Sequence, residues 1–217
     1  RLASDRAVLN TNSKGGMAVT GDCWAGGQQD AHSLLQKAAW YYRDGRYTYV
    51  LGRDPMERAL TDGYGCELLR SFDCGLTPAV PADLTGVAVA PLDRYYNELP
   101  YVDPAYASHW YMTIPNVPHD LTFDKVSFRT GFDPEDQYLL LDGVGGGSHS
   151  YEDANGITEF GQFGRIFILT EDNLHWPNYR DHNVVTVVRE GEGVLPPTFA
   201  GLEGVADFPE VGLSRTF

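Results

Sequence analysis

Positive charge is scarce in this sequence: 16 Lys and Arg stand against 30 Asp and Glu, for a formal net charge of −14 over 217 residues. A nucleic-acid partner requires a basic face, so this balance argues against one. It argues in the same way against a heavily sulfated substrate and in favour of a sparsely charged one. Screening over about 8 Å at physiological salt leaves that choice to local Arg and Lys residues. Long apolar runs are also missing. None approaches the roughly 20 residues that cross a bilayer, so no membrane span is expected. No signal peptide is visible, and an opening on Arg1 rather than Met reads as a processed chain or a fragment. Cysteine is rare, with three residues, too few for a disulfide framework. Cys66 and Cys74 can pair across a short loop, leaving Cys23 free, or all three can stay reduced; cysteine usage does not set the compartment.

What the chain has in quantity is glycine (24), proline (13) and aromatic residues (12%), a composition that favours strands with many turns. Residues 1–20 show no regular apolar period. The clearest helix covers 31–42, where Ala31, Leu34, Leu35, Ala38, Ala39 and Tyr42 recur at helical spacing and Asp44-Gly45 ends the run. Asp54-Pro55-Met56-Glu57 signals a second helix, with a cap, a Pro in the first turn and a Glu three residues after the cap. From Cys74 onward prolines punctuate short apolar runs, which places a boundary near 76–84 between a helical part (1–76) and a β part (84–217). Strands are expected at 86–90, 106–114, 123–130 (alternating, half-buried), 137–142, 156–160, 165–170 and 183–189. Strand following strand without intervening helices implies antiparallel pairing, so the fold class is α+β. The run 213–217 looks like an unfinished strand and reads as a truncation.

Chemically able side chains concentrate between 138 and 189. The apolar run Tyr138-Leu139-Leu140-Leu141-Asp142-Gly143 leads into Gly145-Gly146-Gly147-Ser148-His149-Ser150-Tyr151-Glu152-Asp153-Ala154-Asn155. No Gly-Lys-Ser/Thr follows the glycines, which argues against a phosphate loop. His149 has Asp153 and Asn155 close behind, groups able to orient and tune an imidazole; a lone His is also commonly a packing residue. Arg129, Arg165 and Arg180 can each grip a carboxylate bidentately, or simply be solvated. Tyr41, Tyr42, Tyr47 and Tyr49 have the pattern of packing residues with a polar tip.

Phe123-Asp124-Lys125-Val126-Ser127-Phe128-Arg129, the run 138–143, His149 to Asn155 and His182-Asn183 together resemble the heparinase II/III-like polysaccharide lyases. The resemblance covers roughly 120–190, and it rests on the order and spacing of these pieces. That family joins a helical (α/α) toroid to an antiparallel β-sandwich whose motif has the form His-x-His-x-Asp-x-Asn, followed by a later Asp and a His-Asn pair. The resemblance implies the end of the toroid in 1–76 and the first part of the sandwich in 84–217. It implies β-elimination on a uronic-acid-containing polysaccharide and a secreted or periplasmic, bacterial setting. His149 falls on the motif's first, catalytic His. Asn155 and Arg129 become candidate substrate-binding residues. Asp172 and His182 fall near the metal-ligand positions, for a divalent ion such as zinc or calcium. Tyr151 stands where the family has its second His, itself a metal ligand. The family's other catalytic residues come from the toroid, which the remainder of the parent chain or a partner would supply. A reading from a different class is a non-catalytic glycan-binding or structural β-sandwich, with Trp24, Trp110 and Trp176 offering flat faces to sugars.

Overall fold

The computed structural model describes residues 1–18, 32–53, 75–92, 117–144, 154–170, 183–185, 188–193 and 199–217. Three short helices come first: α1 (Leu2–Leu9), α2 (His32–Tyr42) and α3 (Gly45–Leu51). An antiparallel sheet follows, formed by β1 (Gly86–Pro91), β2 (Phe123–Arg129), β3 (Tyr138–Asp142), β4 (Ile157–Gln162) and β5 (Arg165–Leu169), in the order β1-β2-β3-β4-β5. Among the described residues there are also two separate two-stranded pairs: β6 (Val188–Arg189) with β7 (Glu192–Gly193), and β8 (Leu202–Phe208) with β9 (Val211–Thr216). The α+β class and the antiparallel pairing agree with the sequence reading. The helix expected near Asp54 and the strand expected at 106–114 lie outside the described residues.

Two elements differ from expectation at the N-terminal end. Helix α1 forms where no period was evident, because it packs on two surfaces at once. Ala7 and Val8 join Leu35, Ala38, Ala39, Tyr47 and Val50 in a core with α2 and α3, while Leu9 joins Tyr138, Leu140, Ala88 and Ala90 over the sheet. Apolar residues needed on more than one side do not form a single stripe. Asp44-Gly45, expected to end the 31–42 run, does follow the end of α2 at Tyr42, but the same pair also starts a further helix that the sequence reading did not include. The Asp44 carboxylate accepts from the Arg46 amide as the N-cap of α3, supplying an acceptor to an otherwise unsatisfied helix donor. A side chain at Gly45 would collide with the carbonyl of Thr77, so close approach of the 75–80 segment requires glycine there.

The sheet carries different chemistry on its two faces. Alternation and register place Lys125, Ser127 and Arg129 of β2 with Leu140, Tyr138 and Asp142 of β3 and Glu159 of β4 on the face toward α1 and residues 10–18. Val87, Val89, Val126, Phe128 and Leu141 belong to a second cluster with Ala200 and Leu202, on the side covered by β8 and β9. A Cβ on Gly212 would lie 2.6 Å from Val87 and 2.8 Å from Phe128, which shows how closely this hairpin approaches. Strand β2, expected to be half-buried, is therefore buried almost throughout, because it has cover on both faces.

Candidate functional site

The residues 143–156 leave β3 and return to β4 through a neck that the structure describes at both ends. On the return side, Asn155 has φ 65°, in the left-handed region that Asn tolerates better than most residues. Its amide donates to the Asp142 carbonyl at 2.8 Å, and the Asp142 amide donates to the Gly156 carbonyl at 2.9 Å. On the outgoing side, the Gly143 amide donates to the Asp124 carbonyl at 2.8 Å, and the Val144 amide donates to Asp142 Oδ1 at 2.9 Å. The neck is closed further by Ala200, whose amide donates to the Gly143 carbonyl at 2.8 Å.

Beneath this neck lies a charged cluster. Lys125 Nζ donates to Asp142 Oδ1 at 2.7 Å and to Asp124 Oδ1 at 3.0 Å, and Lys125 and Asp142 are each only 2% exposed. Arg6, reaching from α1, forms an ion pair with the Asp124 carboxylate. Burial disfavours the Lys125 ammonium, but Asp142 and Asp124 outweigh it and hold its pKa above the ordinary lysine value. Removing either partner would strand a buried charge. These residues were not singled out as a site in the sequence. The available signal was their parity: Lys125 and Asp142 occupy the same inward register as Leu140 and Ser127.

A second polar centre occupies the far end of the same face. Arg129 pairs with Tyr138 in the β2–β3 ladder, four residues along β3 from Asp142, which is roughly 13 Å at strand rise. Arg129 is 3% exposed. Its Nη2 donates to the carbonyls of Leu9 and Thr11 at 2.9 and 2.7 Å, and its guanidinium lies 4.0 Å from the Phe132 ring centroid and 4.6 Å from that of Tyr138. Among the described residues, its Nε and Nη1 have no hydrogen-bond partner. Burial lowers the Arg129 pKa to about 10, which still leaves it charged at neutral pH. Glu159 lies on this face with Asn12 Nδ2 donating to its Oε2 at 3.4 Å, and burial raises its pKa to about 7.

Of the expected site residues, Asn155 and Arg129 are described, and His149, Asp172 and His182 lie outside the described residues, as does Tyr151. The structure does not bring Arg129 and Asn155 together, since Arg129 pairs with Tyr138 at one end of β3 and Asn155 bonds to Asp142 at the other. It does bond Asn183, the second residue of the His-Asn pair, to Ile157, the first residue of β4 and two residues after Asn155. Asn183 accepts from the Ile157 amide at 3.1 Å, and its Nδ2 donates back to the Ile157 carbonyl at 3.3 Å. Among the described residues, no group of three His, Cys, Asp or Glu is placed to hold a metal ion, and no helix is long and apolar enough to cross a membrane. No family model and no curated protein matches the chain.

Proposed function

We propose that this chain is part of a heparinase II/III-like polysaccharide lyase that cleaves a uronic-acid-containing polysaccharide by β-elimination. On this reading the helices are the end of an α/α toroid, and the sheet with its covering hairpin is the first part of an antiparallel β-sandwich. The remainder of the helical part comes from the parent chain or a partner, and the protein works in a secreted or periplasmic setting. The observation that supports the reading is the pair of hydrogen bonds between Asn183 and Ile157, two residues after Asn155. The His-Asn piece of the resembling motif is thereby tied to the start of β4, two residues along the chain from the motif's Asn155.

Elimination at a uronate needs three things: neutralisation of the carboxylate, removal of the adjacent carbon-bound proton, and protonation of the departing glycosidic oxygen. His149 falls in the sequence between Val144 and Asn155, the two sides of the neck, and it serves carboxylate neutralisation or proton transfer. Asn155, at the loop's return, contacts the substrate. Arg129 acts from below, tying residues 9–11 to the sheet, and its proposed part in holding substrate rests on its remaining donors, Nε and Nη1. Each elimination leaves a carbon–carbon double bond conjugated to the carboxylate, which absorbs in the ultraviolet where the substrate does not. Full-length protein is expected to generate that absorbance from at least one uronate polymer. His149→Ala is expected to lose ~10²–10⁴-fold in rate, the usual contribution of a general acid–base group. Absorbance that survives His149→Ala undiminished removes His149 from the mechanism.

Asp172 and His182 are the proposed ligands of a divalent ion. One carboxylate and one imidazole suit zinc, and oxygen-rich completion of the shell would suit calcium. Metal analysis of purified protein should show stoichiometric ion that is lost in His182→Ala; unchanged stoichiometry removes His182 from the ligand set.

The glycan-binding reading is favoured by a different observation. Trp40 and Tyr41 on α2 are 55% and 72% exposed, and flat aromatic faces stack on sugar rings. The Trp residues first considered for that role, Trp24, Trp110 and Trp176, lie outside the described residues. Retention on immobilised polysaccharide without any ultraviolet product would replace the lyase reading with this one.

A further inference from the structure

The neck and the helical segment are joined by four charges of alternating sign. Arg6 of α1 pairs with Asp124, Asp124 Oδ1 accepts from Lys125 at 3.0 Å, and Lys125 donates to Asp142 Oδ1 at 2.7 Å. The same Asp142 oxygen accepts from the Val144 amide at 2.9 Å, at the first residue of the outgoing loop. The main chain repeats the connection, since Gly143 donates to the Asp124 carbonyl and Asn155 to that of Asp142. We infer that Arg6, Asp124, Lys125 and Asp142 form a positioning ladder that sets the helical segment in register with both ends of the 143–156 loop.

A merely adhesive contact between α1 and the sheet would not need this chemistry. Apolar residues of similar volume generally hold a buried interface as well as an ion pair does, whereas ion pairs accept few geometries. Leu9 already supplies apolar adhesion nearby, packed with Tyr138 and Leu140. The charges add direction. Lys125 has no freedom to choose a partner elsewhere, because Asp124 beside it on β2 and Asp142 opposite it on β3 both hold it and it is buried. A displacement of α1 therefore reaches Asp124 first, then the amide bonds that hold Gly143 and Val144. The consequence for catalysis rests on the lyase reading, in which one half of the active site comes from the helices and the other from this loop. On that reading Arg6, Asp124, Lys125 and Asp142 are positioning residues and touch no substrate.

Arg6 is the place to test the ladder, because its side chain is 46% exposed and its loss strands no fully buried charge. Amide hydrogen exchange in the full-length protein should rise at Val144 and Asn155 by about two- to thirtyfold in Arg6→Ala, the range expected for a perturbation transmitted through a packed network. Amides in the middle of β3 should be unaffected, and Arg6→Lys should restore most of the protection. Asp124→Asn, which removes the charge and keeps the shape, repeats the measurement from the sheet side. The ladder is refuted if Val144 and Asn155 exchange as in the wild type in both variants, or if exchange rises equally throughout β3. With an active uronate polymer, Arg6→Ala should lower kcat by a similar factor and leave KM in place; an unchanged kcat also refutes the positioning role. If the exchange result is as expected and the wild-type protein cleaves no uronate polymer, the ladder stands and the lyase reading falls.

Discussion

Glu159 shows how one residue can make the whole fold sensitive to pH. It is 2% exposed, and its strongest influence is burial, which raises its pKa from 4.5 to about 7; Asn12, Lys14 and Arg129 oppose that rise. The folded state therefore holds its proton at pH values where the unfolded chain has released it. Stability from this group is complete below about pH 4.5 and is lost as pH rises through about 7. Over that window the loss is up to about 3 kcal/mol. Glu159→Gln keeps an acceptor for Asn12 and removes the titration. Urea unfolding should give the variant nearly wild-type stability at pH 4 and higher stability than wild type at pH 8. Equal stability at both pH values would mean that Glu159 ionises freely in the fold. Arg129, on the same face, is in a different position, since its pKa of about 10 leaves it charged throughout this range.

At the scale of elements, what could be read in the sequence was what depends on local period. The 31–42 stripe marks α2, whose Leu35, Ala38 and Ala39 are buried, although Leu34 and Tyr42 of that stripe remain partly exposed. The runs at 86–90, 123–130, 137–142, 156–160 and 165–170 mark β1 to β5, because each alternates or is bounded by Gly, Pro or Asp. Elements whose partners are distant left no such trace. Helix α1 answers to two cores at once, and the start of α3 at Asp44 uses the residues that elsewhere stop a helix. The hairpin of β8 and β9 was legible only at its end, because its residues are mostly exposed and turn-rich rather than alternating. The site divides in the same way. The loop and its Asn155 were visible as a motif, whereas the Lys125–Asp142 pair needed the β2–β3 register, which places Lys125 opposite Asp142. A charged residue in a strand reads as solvent-facing until pairing shows which side is covered. Arg129 is the extreme case: a residue with the chemistry to hold a carboxylate is instead closed in by Phe132 and Tyr138.

For the molecule as a whole, the two faces of the sheet imply two kinds of failure. The face toward α1 is held by directed groups, including Arg129 on the carbonyls of Leu9 and Thr11 and Tyr138 Oη on that of Leu9. The opposite face is held by shape, with Val87, Val89, Phe128 and Leu141 under Ala200 and Leu202. Hydrogen bonds resist misplacement but are few, while apolar cover loses its effect once a gap opens. Gly212 is where the second kind of failure can be provoked. It pairs with Asp207 across the β8–β9 hairpin, and an added Cβ would press on Val87 at 2.6 Å and on Phe128 at 2.8 Å. Both neighbours are packed side chains rather than flexible polar ends, so the strain of overpacking is expected at about 1–3 kcal/mol. Gly212→Val should therefore lift the hairpin from the sheet and expose the apolar face beneath it. The variant should bind a hydrophobic dye such as ANS while still folded, and amide exchange should rise along β8, β9 and β1. Exchange near Leu9 and Tyr138 should stay at the wild-type rate, because the contacts there lie on the other face. If protection falls equally on both faces, the hairpin and the helical side unfold as one unit, and the separation of the two failures is wrong.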